Sequence, residues 1–267
     1  MIYFVATPIG NLQDITLRAL ETLKNADVIF CEDTRHTLKL LNAYEIKKPL
    51  YACHKFNEAE AAQKILEASR RGEQVAIVSD AGTPVVSDPG NTVCQILRDA
   101  NEPYTLIPGA CAFVAGLVLS ALPADKFAFL GFLPDKAGEK RAFLEKYKDS
   151  DLTLIFHSAP QDMDKNISAM YEVFGERKAA AVREITKIHE ESVWFNLSNG
   201  LQGEKRGEFV LVVEGAKATR SPLCDLSEKE HIQHYMLAGL DKKEALKRAA
   251  KDRGVSKSEL YPFSIDL

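Results

Sequence analysis

Two short segments of this chain bring acids and bases together. "CEDTR", residues 31–35, offers Glu32, Asp33 and Arg35, and "REITK", residues 183–187, offers Arg183, Glu184 and Lys187. A carboxylate can accept or orient a proton, and a cation can hold a phosphate or a developing anion. "CEDTR" directly follows a predicted strand, which sets two acids and one base where an open sheet exposes its loops. Each of these residues equally suits an interdomain salt-bridge network.

Other chemistries lack their residues. No G-x-G-x-x-G follows a strand and no G-x-x-x-x-G-K-[ST] occurs, so neither phosphate cradle is encoded. The six histidines are dispersed, and the pair His231 and His234 falls on a polar tail, where it reads as a solvated helix face. No metal site is expected. There is no G-x-S-x-G elbow, and Ser79 precedes Asp80 in a turn where its hydroxyl can cap backbone. Five scattered cysteines without a C-x-x-C pair encode neither a disulfide framework nor zinc, and suit a reduced cytoplasm.

Strand-like and helix-like runs alternate through the first half. The strands are Ile2 to Ala6, Asp27 to Cys31, Leu50 to Cys53, Gln74 to Ser79 and Tyr104 to Ile107, and this alternation predicts a parallel sheet with helical crossovers. Asn57 and Glu60 have capping-box spacing, and Asp88-Pro89 reads as a cap before a proline at the first helical position. Ala110 to Ala124, interrupted by Ser120 and Pro123, is too short to span a bilayer and reads as a buried helix.

A second half starts near Pro123. Its strands, Phe127 to Phe132, Leu152 to His157, Lys178 to Arg183, Glu191 to Leu197 and Glu208 to Glu214, include close neighbours joined by short turns, so a mixed sheet is expected. The tail "LDKKEALKRAAKDRGVSKSELY" places Asp241 and Glu244, then Ser256 and Glu259, at capping-box spacing around a stop at Gly254. The expected divisions are 1–122, a parallel α/β domain; 123–216, a mixed-sheet α/β domain; and 217–267, a helical extension.

At 267 residues, 46% hydrophobic and 27% charged, the composition is that of a folded soluble protein. A net charge of −4 argues against coating nucleic acid by bulk positive charge, though a local basic patch remains open. In the tail, Lys242, Lys243, Lys247, Arg248, Lys251, Arg253 and Lys257 outnumber Asp241, Glu244, Asp252 and Glu259. That excess reads either as an RNA contact or as a solvated helical face. No basic segment ahead of an apolar core and no cleavage site precede Ile2, so no export signal is expected.

In an open sheet the informative loops lie just after the strands: Thr7-Pro8-Ile9-Gly10-Asn11, Glu32 to Arg35, Ser79 to Asp88, and Pro108 to Ala112. Here "VATPIGNLQDITLRALETLKNADVIFCEDTRHT", "VAIVSDAGTPVVSDPG", "LIPGACA", "REITKIHEES" and "GEFVLVVEG" together resemble the ribosomal RNA branch of the tetrapyrrole methylase superfamily. The likeness covers residues 1 to 216. It implies two α/β domains with S-adenosylmethionine in the cleft between them, usually in a homodimer. It implies methyl transfer to a cytidine 2′-hydroxyl near the decoding region of small-subunit ribosomal RNA, in the cytoplasm and with no membrane partner. The runner-up is a tetrapyrrole C-methyltransferase, but such members open with a glycine-richer first loop, of which only Pro8 and Gly10 match here.

By the same resemblance, Pro8, the turn Ser79, Asp80, Ala81, Gly82, Thr83 and Pro84, and the backbone of Pro108, Gly109, Ala110, Cys111 and Ala112 would line the cofactor pocket. A ribose hydroxyl is a poor nucleophile until its proton leaves. Asp33, with Glu32 as alternative, would accept or orient that proton, while Arg35 and Lys187, beside Glu184, would place phosphate or stabilise the alkoxide. Arg183, Lys242, Lys243 and Arg248 would contact RNA.

Overall fold

The computed structural model describes residues 1–217 and 222–267; residues 218–221 of the expected extension lie outside the described residues. The chain forms two compact units, Met1–Gly215 and Ala216–Leu267.

The first unit opens with β1 (Ile2–Val5), α1 (Leu17–Asn25), β2 (Val28–Cys31), α2 (Thr34–Ala43), β3 (Leu50–Ala52), α3 (Glu58–Arg70), β4 (Val75–Val78), α4 (Asn91–Asp99), β5 (Tyr104–Ile107) and α5 (Ala112–Ser120). The five strands pair in parallel in the order β3-β2-β4-β1-β5. Their side chains alternate between two cores. Phe4, Phe30 and Ile77 pack with Ile65 and Leu97 on one face, while Val5, Ile29 and Val78 pack with Leu23 and Leu41 on the other. Helices on both faces explain why β2 and β4 are apolar throughout. From β1 the chain turns toward β2, and from β4 toward β5, so the switch point falls between β1 and β4. Their carboxyl-end loops open the crevice where such sheets bind ligands.

The unit continues with β6 (Phe127–Phe132), α6 (Ala137–Glu145), β7 (Thr153–Ser158), α7 (Met163–Phe174), β8 (Lys178–Arg183), β9 (Glu191–Asn196) and β10 (Phe209–Val213). The order is β6-β7-β10-β8-β9, with β6 parallel to β7 and the other pairs antiparallel, as a mixed sheet requires. α6 and α7 cover one face through Leu144, Met163 and Met170. α5 covers the other through Leu117, against Ile155, Val182 and Val210. A Cβ on Gly116 would stand 2.5 Å from Val210 Cγ1, so glycine lets this helix lie close to the second sheet. α5 therefore leaves β5 of one sheet and packs on the other, tying the two into one unit.

Three local expectations are corrected. Asn57 precedes α3 without capping it, because its side chain accepts the N–H of His54 at 2.8 Å and donates to Ala52 O at 3.0 Å. Asp88 does not cap α4; the helix starts after Gly90, whose φ of 127° breaks the chain direction there. The apolar segment around α5 is buried on one side only, with Val118 70% exposed.

The second unit holds α8 (Glu228–Leu237), α9 (Lys242–Arg253) and α10 (Lys257–Leu260). Ser227 with Glu230 and Ser256 with Glu259 form complete capping boxes, Asp241 accepts the N–H of Glu244, and Gly254 ends α9 at φ 65°. Ile232, Leu246, Ala249 and Leu260 make its core. His231 is no solvated helix face: it is fully buried, with Asp252 on Nε2 at 3.3 Å and Arg253 Nε donating to Nδ1 at 3.1 Å. The donation to Nδ1 requires a neutral ring, and burial accordingly lowers its pKa.

Candidate active site

A cavity of about 360 Å³ lies in the first unit at the crevice beside β1 and β4, within the range of small-molecule sites. Its wall combines Ile9, Gly82 and Asp88 from the loops after β1 and β4 with Phe113 of α5 and with Ile185 and Glu208 from the second sheet's side.

Close backbone packing builds the loop side of this wall. Thr7 and Gly82 exchange both backbone hydrogen bonds, at 2.9 and 3.0 Å, bridging the first and third loops. Thr83 Oγ1 donates to Ala110 O at 3.3 Å, which adds the fourth. A Cβ on Gly109 would meet that of Ala6 at 3.0 Å, and one on Gly82 would meet Ile9 Cγ2 at 3.2 Å. These approaches need glycine.

Strained backbone gathers around the cavity. Val85 (φ 77°) and Ser87 (φ 65°) lie in the left-handed region, as do Glu184 (φ 49°) and Thr186 (φ 69°). For β-branched Val85 and Thr186 such conformations are true outliers, costing about 1–3 kcal/mol each, and they persist where surrounding structure enforces them. Gly10 receives the second strained loop: a Cβ there would fall 2.6 Å from Lys187 Cγ.

The expected catalytic residues divide into two groups that pair internally. Asp33 caps α2, accepting Arg35 N–H at 2.8 Å, while Arg35 NH2 reaches its other oxygen at 2.7 Å. Hydrogen bonds from Arg35 hold the Asp33 carboxyl well below the usual carboxylate range. Glu32 differs, for desolvation raises its pKa, with Asp80 and Asp88 adding to the rise. Lys187 Nζ pairs with Glu184 at 3.0 Å and Glu208 at 2.8 Å. Burial opposes its charge, yet the bonds to Glu208 and Glu184 raise its pKa, so Lys187 acts as a cation. Arg183 pairs with Glu191 at 2.7 Å. Among the described residues no ion pair joins the two groups.

Of the residues expected at the cofactor, Ala81, Gly82, Thr83, Cys111 and Ala112 line the cavity. Pro8, Ser79, Asp80, Pro84, Pro108, Gly109 and Ala110 are not among the lining residues; Asp80, for instance, accepts the N–H of Asp33 at 3.1 Å. In the second unit, Lys242 is turned to the carbonyls of Ile265 and Leu267, at 3.5 and 3.1 Å, while Lys243 and Arg248 are exposed. Sequence reasoning missed Phe113, Phe132 and His157, which carry no motif, quoted Glu208 within "GEFVLVVEG" without giving it a role, and took Asp88 for a helix cap. Burial lowers the pKa of His157 and favours its neutral form, and among the described residues its Nε2 finds no partner between the rings of Phe129 and Phe132.

The model of the tetrapyrrole (corrin/porphyrin) methylases matches residues 1–199. The chain belongs to this family. It is 41% identical over 270 residues to the ribosomal RNA small subunit methyltransferase I of Bacillus subtilis, covering 98% of this chain and 92% of the relative. The protein of the same name from Mesorhizobium japonicum is 41% identical over 272 residues, covering 100% and 92%. Among solved structures, uroporphyrin-III C-methyltransferase from Thermus thermophilus complexed with S-adenyl homocysteine is 19% identical with a TM-score of 0.56, covering 79% of this chain and 96% of that one. That likeness is one of fold. The family is one of S-adenosylmethionine-dependent methyltransferases.

The cavity fits that cofactor. Ile9, Phe113, Ile185 and Val210 offer apolar surface to a purine ring. The loops after β1 and β4 and the start of α5 would hold it.

Proposed function

We propose that this chain methylates the 2′-hydroxyl of a cytidine ribose in the decoding region of small-subunit ribosomal RNA. S-adenosylmethionine supplies the electrophilic methyl group, and the protein supplies alignment and handling of the hydroxyl proton. The observation that carries this reading is the crevice cavity, walled by the family's loop motifs, in a chain 41% identical over nearly its whole length to small-subunit ribosomal RNA methyltransferases. Lys187, charged beside Glu184 and Glu208, steadies phosphate or a developing alkoxide, and Arg183 contacts RNA. Exposed Lys243 and Arg248 in the second unit give RNA a further contact, with Lys242 bracing the chain end instead.

The functional divisions are 1–122, 123–216 and 217–267. A homodimer is supported by α5, apolar all round yet exposing Val114 and Val118, since such a helix is normally covered. Work on ribosomal subunits would place it in the cytoplasm; among the described residues no helix is long and apolar enough to cross a membrane.

The test is incubation of the protein with labelled cofactor and unmodified small subunits, naked small-subunit RNA or a tetrapyrrole precursor in parallel, followed by mass spectrometry of nucleosides. Label in 2′-O-methylcytidine of the subunit is expected. Label on the tetrapyrrole alone would replace this reading.

A further inference from the structure

Asp88 stands out once its neighbours are accounted for. Asp33 is held by Arg35, and both Glu184 and Glu208 by Lys187. Asp88 lines the cavity, half-buried, and among the described residues no ion pair engages it. Its segment is bent to put it there: Val85 and Ser87 take left-handed conformations before it and Gly90 follows at φ 127°, so the carboxylate enters the cavity wall instead of starting α4. Backbone strain concentrated beside one desolvated acid marks a position held for chemistry.

We propose that Asp88 is the proton acceptor of the reaction, taking the ribose hydroxyl proton onto a carboxylate oxygen. This rests on methyl transfer to ribose as proposed above. As Asp88 takes the proton, the hydroxyl oxygen bonds the methyl carbon, the carbon–sulfur bond breaks with its electron pair kept by sulfur, and a neutral thioether departs. Asp88 then returns the proton to solvent.

Its surroundings favour this role. Desolvation raises the Asp88 pKa and the charge of Asp80 adds to it, while a hydrogen bond from Ser79 opposes. Asp88 in turn raises the pKa of Glu32. Elsewhere on the cavity wall, His157 is neutral and Glu208 is paired with Lys187, and among the described residues the wall carries no lysine or arginine. A more basic carboxylate is a better acceptor near neutral pH.

Single-turnover methylation of unmodified small subunits, measured against pH, tests the assignment together with calorimetry of S-adenosylhomocysteine. Asp88→Asn is expected to lose about 10²- to 10⁴-fold in rate with cofactor-product affinity within about threefold, and Asp88→Glu to recover part of the rate. The wild-type rate should fall as pH falls through a pKa above the ordinary aspartate value of about 3.9. Ser79→Ala should move that limb to higher pH, which keeps the proposal testable if Asp88→Asn folds poorly. An Asp88→Asn rate near wild type overturns it, as does an affinity loss that matches the rate loss, which would make Asp88 a cofactor contact. If wild-type protein methylates no small subunit, the substrate reading fails and the inference with it; an active wild type beside an equally active Asp88→Asn removes the inference alone.

Discussion

The loops after β2 and β4 leave the same end of the same sheet from neighbouring strands, and each carries two acids, Glu32 and Asp33 in the first and Asp80 and Asp88 in the second. They end in opposite electrostatic states. After β2 the chain turns at once into α2, so Asp33 becomes the N-cap and takes Arg35 as partner, with its pKa driven down by those hydrogen bonds. After β4 the chain makes a long strained excursion before α4, and Asp88 comes to the cavity wall with its pKa driven up by burial. Residue type and position after a strand therefore do not fix a carboxylate's electrostatic state. What decides is whether the following backbone consumes the carboxylate or presents it.

The sharpest way to break this comparison is the pair Asp88→Asn and Asp33→Asn in one single-turnover assay. The first is expected to lose about 10²- to 10⁴-fold, as a positioned acid–base group does. The second should stay within about threefold of wild type, because asparagine caps a helix as well as aspartate. The reverse ranking would restore Asp33 as the base.

Much of this was legible in the sequence, and its failures share one cause. All ten strands were placed by apolar runs between turn residues, because strand identity is a local property of side-chain pattern. The cavity-lining loops were identified from their motifs, including Gly82 and Cys111. Asp88-Pro89 misled because a cap signal is also local, and it was overridden by left-handed Ser87 and by Gly90, whose φ values depend on the packed loop. Phe132, His157 and Glu208 reach the cavity from the second sheet, more than forty residues beyond Asp88, and no short window connects them.

Next in size is Gly109→Val. The loop after β5 lines the cavity through Cys111, and a Cβ on Gly109 would lie 3.0 Å from that of Ala6 and 3.5 Å from its carbonyl oxygen. Overpacking of about 1–3 kcal/mol, felt mainly at the cavity, corresponds to roughly 5- to 150-fold weaker S-adenosylhomocysteine binding. Calorimetry with a melting curve separates this from unfolding, and unchanged affinity would remove Gly109 from the support of the site.

The comparison sharpens further if Asp88 is given what Asp33 has. Val86 lies on the cavity wall two residues from Asp88, the same separation as Asp33 and Arg35, and is 40% exposed. Val86→Lys should bring a cation beside the carboxylate and favour its ionised form. The acid limb of the rate then moves to lower pH, and the plateau falls by about tenfold as the base weakens. A plateau that holds while the limb moves would mean that Asp88 orients the hydroxyl without accepting its proton.

The smallest effect concerns the loop after β2 and is structural. Asp33 accepts the backbone N–H of Arg35 and so satisfies an orphan donor at the start of α2. Its ion pair adds little, since Arg35 is 88% exposed and solvent screens the charge. Asp33→Ala should thus lower the melting temperature by about 2–4 °C through loss of the cap, whereas Asp33→Asn and Arg35→Met should melt close to wild type. Equal losses in all three would show that the ion pair, rather than the cap, holds Asp33. In that case Arg35→Met would also release a carboxylate at the mouth of β2, and any rate it gained in an Asp88→Asn background would measure how far one loop can stand in for the other.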